Sequence, residues 1–341
     1  MTYPRILAVS TAHPSERFTQ DEVLAYAGYG DERRRGFFLN GQIEGRYLAI
    51  ERETFRTDES VDVLQERFRR ASVDLGSRAV RQALDRAGRA RGDLDFLATT
   101  TCTGRLCPSL DAYLIRALEL RSGIQRVHVG DTGCSSAIVA LQQAWNRLRA
   151  HPGDLAAVVA SEISSAAYFM DEDPETAVAN AIFSDGAAAA ILGSNGPGPE
   201  VVATRTLFRP EHLECMGFTF PRGYQRILLS KDVRHIAVEM MGDLIATMLA
   251  ENGLTRDGVR HWVIHSAGRS VLDRARDRLG LSEEQLAPAR TVLREYGNMS
   301  SATVLFVLHE ILERGTAQEG DWGIMVALGP GFAAEGALLR W

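Results

Sequence analysis

The chain has 341 residues, 45% of them hydrophobic and 24% charged, with a net charge of −6 and a pI near 5.8. That is the make-up of a folded globular protein with a sizeable core, and its acidic balance excludes general attraction to nucleic acid or to an anionic membrane surface. Four cysteines (Cys102, Cys107, Cys134, Cys215) are too few for a disulfide scaffold and match no zinc spacing, so no metal is expected. No apolar run reaches membrane-spanning length and the first residues lack the pattern of a signal peptide, so a cytoplasmic address is expected.

In chain order, RILAVSTA (Arg5 to Ala12) reads as a strand, followed by Arg- and Glu-rich helical patterns to about Arg91. DLDFLATTTCTG is the next extended segment, Leu110 to Leu120 a helix, and Gln125 to Val129 a short β-branched strand. Gly130 and Gly133 then supply a sharp turn into a helix whose apolar residues Ile138, Leu141, Trp145 and Leu148 recur at steps of three and four. Leu155 to Ser164 is a buried strand, and Ile182 to Ser194 reads as two extended stretches broken at Asp185 and Gly186. The Gly- and Pro-rich Gly193 to Glu200 is a natural crossover. Beyond it the order partly repeats: helix (Val233 to Glu251), strand (HWVIH, His261 to His265) and helix (Ser270 to Leu279). An apolar helix after Asn298 then buries Val304, Val307 and Ile311, and two extended segments flank Gly329-Pro330-Gly331. Strands alternating with helices give an α/β fold with a mainly parallel sheet, built from duplicated halves at 1–195 and 196–341.

The chemistry centres on GDTGCSSAIVALQQAW (Gly130 to Trp145). Cys134 is expected in the first turn of a helix, where the dipole and free N–H groups favour a thiolate, the nucleophilic form. A nucleophile of this kind needs a base or electrostatic partner and donors for an oxyanion. His265, at the end of a strand, and Asn298, just ahead of an apolar helix, stand where ligands bind in α/β sheets. A Cys, His and Asn in this chain order serve acyl transfer or papain-like hydrolysis equally well. His261 and His265 are four residues apart, but on a strand, which does not suit a metal pair.

Several long segments carry a resemblance. EYGNMSSATVLFVLHEIL (Glu295 to Leu312), IFSDGAAAAILGS, HLECMGFTF, LLSKDV, CPSLDAYLIRALELR and ALGPGFAAEGALLRW are, in order, similar to the type III polyketide synthases. These chalcone synthase-like enzymes belong, with the β-ketoacyl synthase III-like enzymes, to the thiolase superfamily. The resemblance implies a five-layered αβαβα thiolase fold, a homodimer, and no tightly bound cofactor. Acyl thioesters of coenzyme A or of phosphopantetheine on an acyl carrier protein would be the substrates. It implies Cys134 as the acyl-accepting nucleophile, with His265 and Asn298 holding the thioester carbonyl. Phe183 and Phe220 match the aromatic gatekeepers, and Cys107 lies in a loop that reaches the partner's cavity. Ser300 falls beside the asparagine, among the substrate-contacting residues, and Glu162 matches an acid near the cavity with a role in proton handling.

The match breaks where the resemblance expects cations that clamp the coenzyme A phosphates. Arg33 keeps the charge, whereas Gly36 and Asn40 supply none, and Arg34, Arg35 and Arg46 are the nearby substitutes. The segment after Phe220, FPRGYQRILLSKDV, is also longer than usual. The leading expectation is a ketosynthase that joins acyl thioesters by Claisen-type condensation through an acyl-Cys134 intermediate in bacterial polyketide biosynthesis. The competitors are a stand-alone ketosynthase joining two carrier-bound β-ketoacyl chains to an α-pyrone, an acyltransferase to an alcohol or amine, and a non-catalytic partner subunit.

Overall fold

A computed structural model describes residues 3–53, 55–168 and 171–341. The first half contributes β1 (Arg5–Ala12), β2 (Arg17–Thr19), β3 (Gly45–Tyr47), β4 (Phe96–Thr101), β5 (Gln125–Gly130), β6 (Ala156–Ile163) and β7 (Asp185–Gly193). The second contributes β8 (Glu200–Phe208), β9 (Met216–Thr219), β10 (Arg226–Leu229), β11 (Val259–Ile264), β12 (Trp322–Gly329) and β13 (Ala333–Arg340). The helices are α1 (Gln20–Ala27), α2 (Glu32–Leu39), α3 (Val61–Ala87), α4 (Leu110–Leu118), α5 (Ser136–Ala150) and α6 (Pro174–Ile182), then α7 (Val233–Glu251), α8 (Arg269–Leu279), α9 (Glu283–Tyr296) and α10 (Ala302–Arg314).

The main sheet runs β11-β12-β13-β8-β1-β7-β6-β4-β5. On the first side, β4 pairs parallel with β5 and β6, while β7 is antiparallel to β6 and β1. On the second side β13 is antiparallel to β8 and β12, and β11 is parallel to β12. The two sides therefore repeat one strand plan and meet where Arg5 of β1 pairs with Glu200 of β8. We propose 195/196 as the boundary between halves on this repeat.

Helices cover the sheet in layers. α3 packs on β1, β6 and β7, α7 on β8, β12 and β13, and α9 on β11, forming the outer layers. α5 and α10 each touch strands of both halves and form the middle layer. Their sequences explain the placement. In α10 every residue from Ala302 to Leu308 is buried, as expected of a helix apolar on all sides. α5 buries Ile138, Leu141 and Leu148, while the half-buried Trp145 donates its indole N–H to the Val201 carbonyl at 2.8 Å. β7 is buried along its whole length, and Ala187 to Ala190 keep the layers on either face close.

The expected break at Asp185 and Gly186 does not occur; β7 starts there and runs unbroken. Asp185 is tolerated because its carboxylate accepts from Ala49 N, Ser165 N and Ser165 Oγ at 2.6, 2.8 and 2.5 Å. The long segment after Phe220 contributes β10, which pairs antiparallel with β9 just ahead of Phe220, and residues from both strands face a cavity.

Candidate active site

Cys134, His265 and Asn298 come from three separate places and line one cavity of about 980 Å³. Cys134 lies in a 3₁₀ turn, Gly133–Ser135, immediately before α5 rather than inside its first turn. Gly133 holds φ +60°, and a side chain there would run into the Pro330 ring. His265 follows β11, fixed by its N–H to the Val326 carbonyl at 3.0 Å. Asn298 follows the Gly297 turn after α9 and is pinned on both backbone sides: its N–H donates to Ile182 O, and its carbonyl accepts from Ser184 N, each at 2.9 Å.

The Asn298 amide is oriented by its neighbours. Nδ2 donates to Ala267 O at 3.1 Å and Oδ1 accepts from Ser300 N at 2.8 Å, which leaves one amide N–H for a ligand. His265 is 2% exposed, and neither ring nitrogen has a hydrogen-bond partner among the described residues. A buried imidazole with open nitrogens beside an oriented amide provides two donors for a carbonyl oxygen that gains charge.

Protonation states follow from burial. Desolvation pushes the His265 imidazole down to about 4, so the ring is neutral at pH 7, with one nitrogen donating and the other accepting. The enclosing walls push the Cys134 thiol up to about 12, partly offset by a hydrogen bond with Ser300. Burial thus opposes the thiolate that the helix start favours. The sulfur's hydrogen bond is with Ser300 Oγ, at 3.3 Å.

Ser300 has φ +48° and its hydroxyl is also 3.0 Å from the sulfur of Cys102. Cys102 was not singled out from the sequence, although its place at the end of strand β4 was the available signal. It is buried, lines the cavity, and burial holds its thiol well above the ordinary range. Gln225, on the segment after Phe220, reaches across to donate to Cys102 O at 2.6 Å.

The remaining candidates divide. Phe183 lines the cavity at the end of α6, bridged to Asn298. Phe220 does not; it is exposed, with the Arg105 guanidinium 4.9 Å from its ring centre. Cys107 is exposed and outside the cavity wall. Glu162 is completely buried and absent from the lining. Its carboxylate accepts from Thr101 Oγ1, Cys102 N, Thr103 N and Thr103 Oγ1 at 3.1, 3.0, 3.2 and 2.9 Å, and from Ser301 Oγ. Every neighbour is a donor, so the carboxylate acts as a hub holding two active-site turns.

Of the four arginines, Arg33 alone lines the cavity. Arg34 is committed to Asp31 and Glu172, and Arg35 is exposed outside the lining. Arg46 is no entrance residue: it is 0% exposed and donates to the Phe183 carbonyl at 2.6 Å, and burial pushes its guanidinium down. His261 pairs with Asp321 at 3.0 Å, apart from His265.

Comparison with known proteins fixes the family. Residues 56–252 match the model for FAE1/type III polyketide synthase-like proteins, and residues 210–341 match the C-terminal domain of chalcone and stilbene synthases. The chain belongs to the type III polyketide synthase family. It is 34% identical to 3,5-dihydroxyphenylacetyl-CoA synthase of Streptomyces toyocaensis, over 99% of this chain and 90% of the relative. It is 31% identical to 1,3,6,8-tetrahydroxynaphthalene synthase of Streptomyces peucetius subsp. caesius, over 98% and 93%. The solved PKS-I of the brown alga Ectocarpus siliculosus superposes with TM-score 0.92 at 30% identity, covering 100% of this chain and 98% of that one. The synthase is thus a condensing enzyme of bacterial polyketide biosynthesis with the thiolase fold, and the family uses coenzyme A thioesters. No helix among the described residues is long and apolar enough to cross a membrane.

Proposed function

We propose that the synthase joins acyl thioesters by Claisen-type condensation through an acyl-Cys134 intermediate. The observation that carries this is the convergence of the Cys134 sulfur, the open His265 ring and the oriented Asn298 amide on one enclosed cavity. The His265 ring, neutral at pH 7, takes the Cys134 proton as sulfur attacks the first thioester carbonyl; the C–S bond to the carrier breaks and the carrier thiolate takes that proton. A second thioester bearing an α-carboxylate loses that group as CO₂, and the enolate left behind attacks the acyl-Cys134 carbonyl through its α-carbon, the Cys134 thiolate released afterwards taking a proton from water. A carbon–carbon bond forms, the Cys134 C–S bond breaks, and a β-ketoacyl thioester remains on the second carrier. His265 and Asn298 donate to the oxygens that gain charge in both thioesters.

Transfer to an alcohol or amine would need only the oxyanion donors and a base. The paired His265 and Asn298 donors beside a large cavity favour condensation, because an enolate and an acyl group must be held together. The test is product analysis after supplying two acyl-CoA thioesters, one of them bearing an α-carboxylate. A β-ketoacyl product that retains both chains supports condensation; an ester or amide without a new carbon–carbon bond refutes it.

A homodimer is part of the proposal. Among the described residues β5 pairs with β4 alone, and its residues Gln125 and Arg126 are exposed, an edge that a second copy would cover. Sedimentation at the mass of one chain would refute the dimer.

A further inference from the structure

A thioester whose acyl carbon reaches Cys134 leaves the rest of its pantetheine arm running out of the cavity, so its phosphate must lie at the mouth. The two α2 positions where cations were expected hold Gly36 and Asn40, both on the cavity lining. Charge is found elsewhere on the rim. Lys231 and Arg234 stand at the start of α7 and Arg274 on α8, all lining the same cavity, with Arg33 on α2. α2 and α8 face each other there: Arg269 Nη1 donates to the Asn40 carbonyl at 3.1 Å.

These cations differ from others in the chain. Arg52, Arg226, Arg276 and Arg290 each bind carboxylates, whereas the side chains of Arg33, Lys231, Arg234 and Arg274 have no partner among the described residues. The acids on the lining are already engaged. Glu175 accepts from Leu229 N, Asp273 holds Arg290, and Asp277 holds Arg276. Among the described residues Glu175 is the one acid on the lining with no cationic partner, and four unpaired cations stand against it, so in a chain of net charge −6 the cavity mouth carries excess positive charge. Lys231 is the only lysine in the sequence.

We infer that Lys231, Arg234 and Arg274, with Arg33 opposite, hold the phosphate of the pantetheine carrier, moving that contact from α2 to the α7–α8 side of the mouth. Free cations of fixed position bind phosphate oxygens through charge-assisted hydrogen bonds, which Gly36 and Asn40 could not supply. The assignment rests on the condensing reading for the direction in which the thioester enters. The shared chemistry is a phosphorylated pantetheine, borne by coenzyme A or by a carrier protein.

The test has two arms. In the first, the single lysine is acetylated with succinimidyl acetate and followed by peptide mass spectrometry. Saturating coenzyme A or holo carrier protein should slow modification of Lys231 while phosphate-free pantetheine should not; protection by either one supports the clamp and names its source, and equal rates with and without both overturn the assignment. This arm needs no turnover, so it stands even if the enzyme forms no carbon–carbon bond. In the second, KM is measured for one acyl group on coenzyme A, on a holo carrier protein and on N-acetylcysteamine, which has no phosphate. In the K231A/R234A/R274A variant the ratio of KM on a phosphate-bearing carrier to KM on N-acetylcysteamine should rise about tenfold or more. A rise confined to coenzyme A or to the carrier protein supports the clamp and names its source; an unchanged ratio for both overturns it.

Discussion

Replacing Glu162 separates a structural hub from a proton donor. Its Oε2 accepts from Thr101 Oγ1, Cys102 N, Thr103 N and Thr103 Oγ1, while Oε1 accepts from Ser301 Oγ. In Glu162→Gln the amide oxygen can keep the Oε2 partners, and the amide NH₂ faces the Ser301 hydroxyl, which can turn to accept. Only the charge assistance is lost, about 1–2 kcal/mol. Glu162→Ala instead strands the buried N–H groups of Cys102 and Thr103, at about 1–3 kcal/mol each, so about 2–6 kcal/mol before any cavity cost. The Cys102 and Ser300–Ser301 turns, both at the active site, should loosen with it. Urea unfolding followed by circular dichroism gives the stabilities, and condensation assays on the same samples give kcat. The expectation is a mildly destabilised Gln variant within about tenfold of wild-type turnover, and a strongly destabilised Ala variant. A Gln variant of full stability with kcat reduced by about 10³-fold or more would show that Glu162 transfers a proton and would refute the hub.

Gly133→Ala should force a side chain against Pro330 in a left-handed backbone position, costing about 2–4 kcal/mol in urea unfolding and slowing acylation of Cys134; unchanged acylation would contradict the packing described. His265→Ala and Asn298→Ala should each lower condensation about 10²–10³-fold while some acylation of Cys134 persists, and full condensation in either variant would remove it from the proposed role. Glu335 is buried on β13 beside Thr206, and burial pushes its carboxyl up to about 7. Because its folded value is raised, its contribution is fully present below about pH 4.5 and is lost as pH rises to 7, about 3 kcal/mol in all. Glu335→Gln should therefore match wild type near pH 4.5 and exceed it at pH 8; equal stability at both pH values would show that Glu335 ionises normally.

Much of the fold was legible because its strands are short apolar runs closed by Gly or polar residues. Arg5–Ala12 and Val233–Glu251 were bounded as observed, and Leu110, Ser270 and the helix after Asn298 were placed within a few residues. α9 was not read, because Pro288 within it looks like a breaker; Ser282 and Gln285 form a capping box that starts the helix, and Pro288 is buried in it. Cys134, His265 and Asn298 could be picked out because each sits at a strand end or helix entrance, but the roles proposed for them came from the resemblance of the segments that carry them. Their protonation could not be read from the sequence. Whether Cys134 is a thiolate depends on how completely distant segments enclose it, and those segments are far apart in the chain. The same holds for the arginines. Arg46 and Arg33 look alike in sequence, but only the packing of β3 against the Phe183 turn buries one and leaves the other at the mouth.

The central claim is that Cys134 carries the acyl chain during condensation. Intact-protein mass spectrometry after mixing the synthase with an acyl-CoA tests it most directly, followed by peptide mapping and by the same measurement on Cys134→Ala. The account predicts one acyl group per chain, mapped to Cys134, absent from the Cys134→Ala variant and released into a longer product when a second thioester is added. An acyl group that still loads on Cys134→Ala, or condensation by that variant, would contradict it.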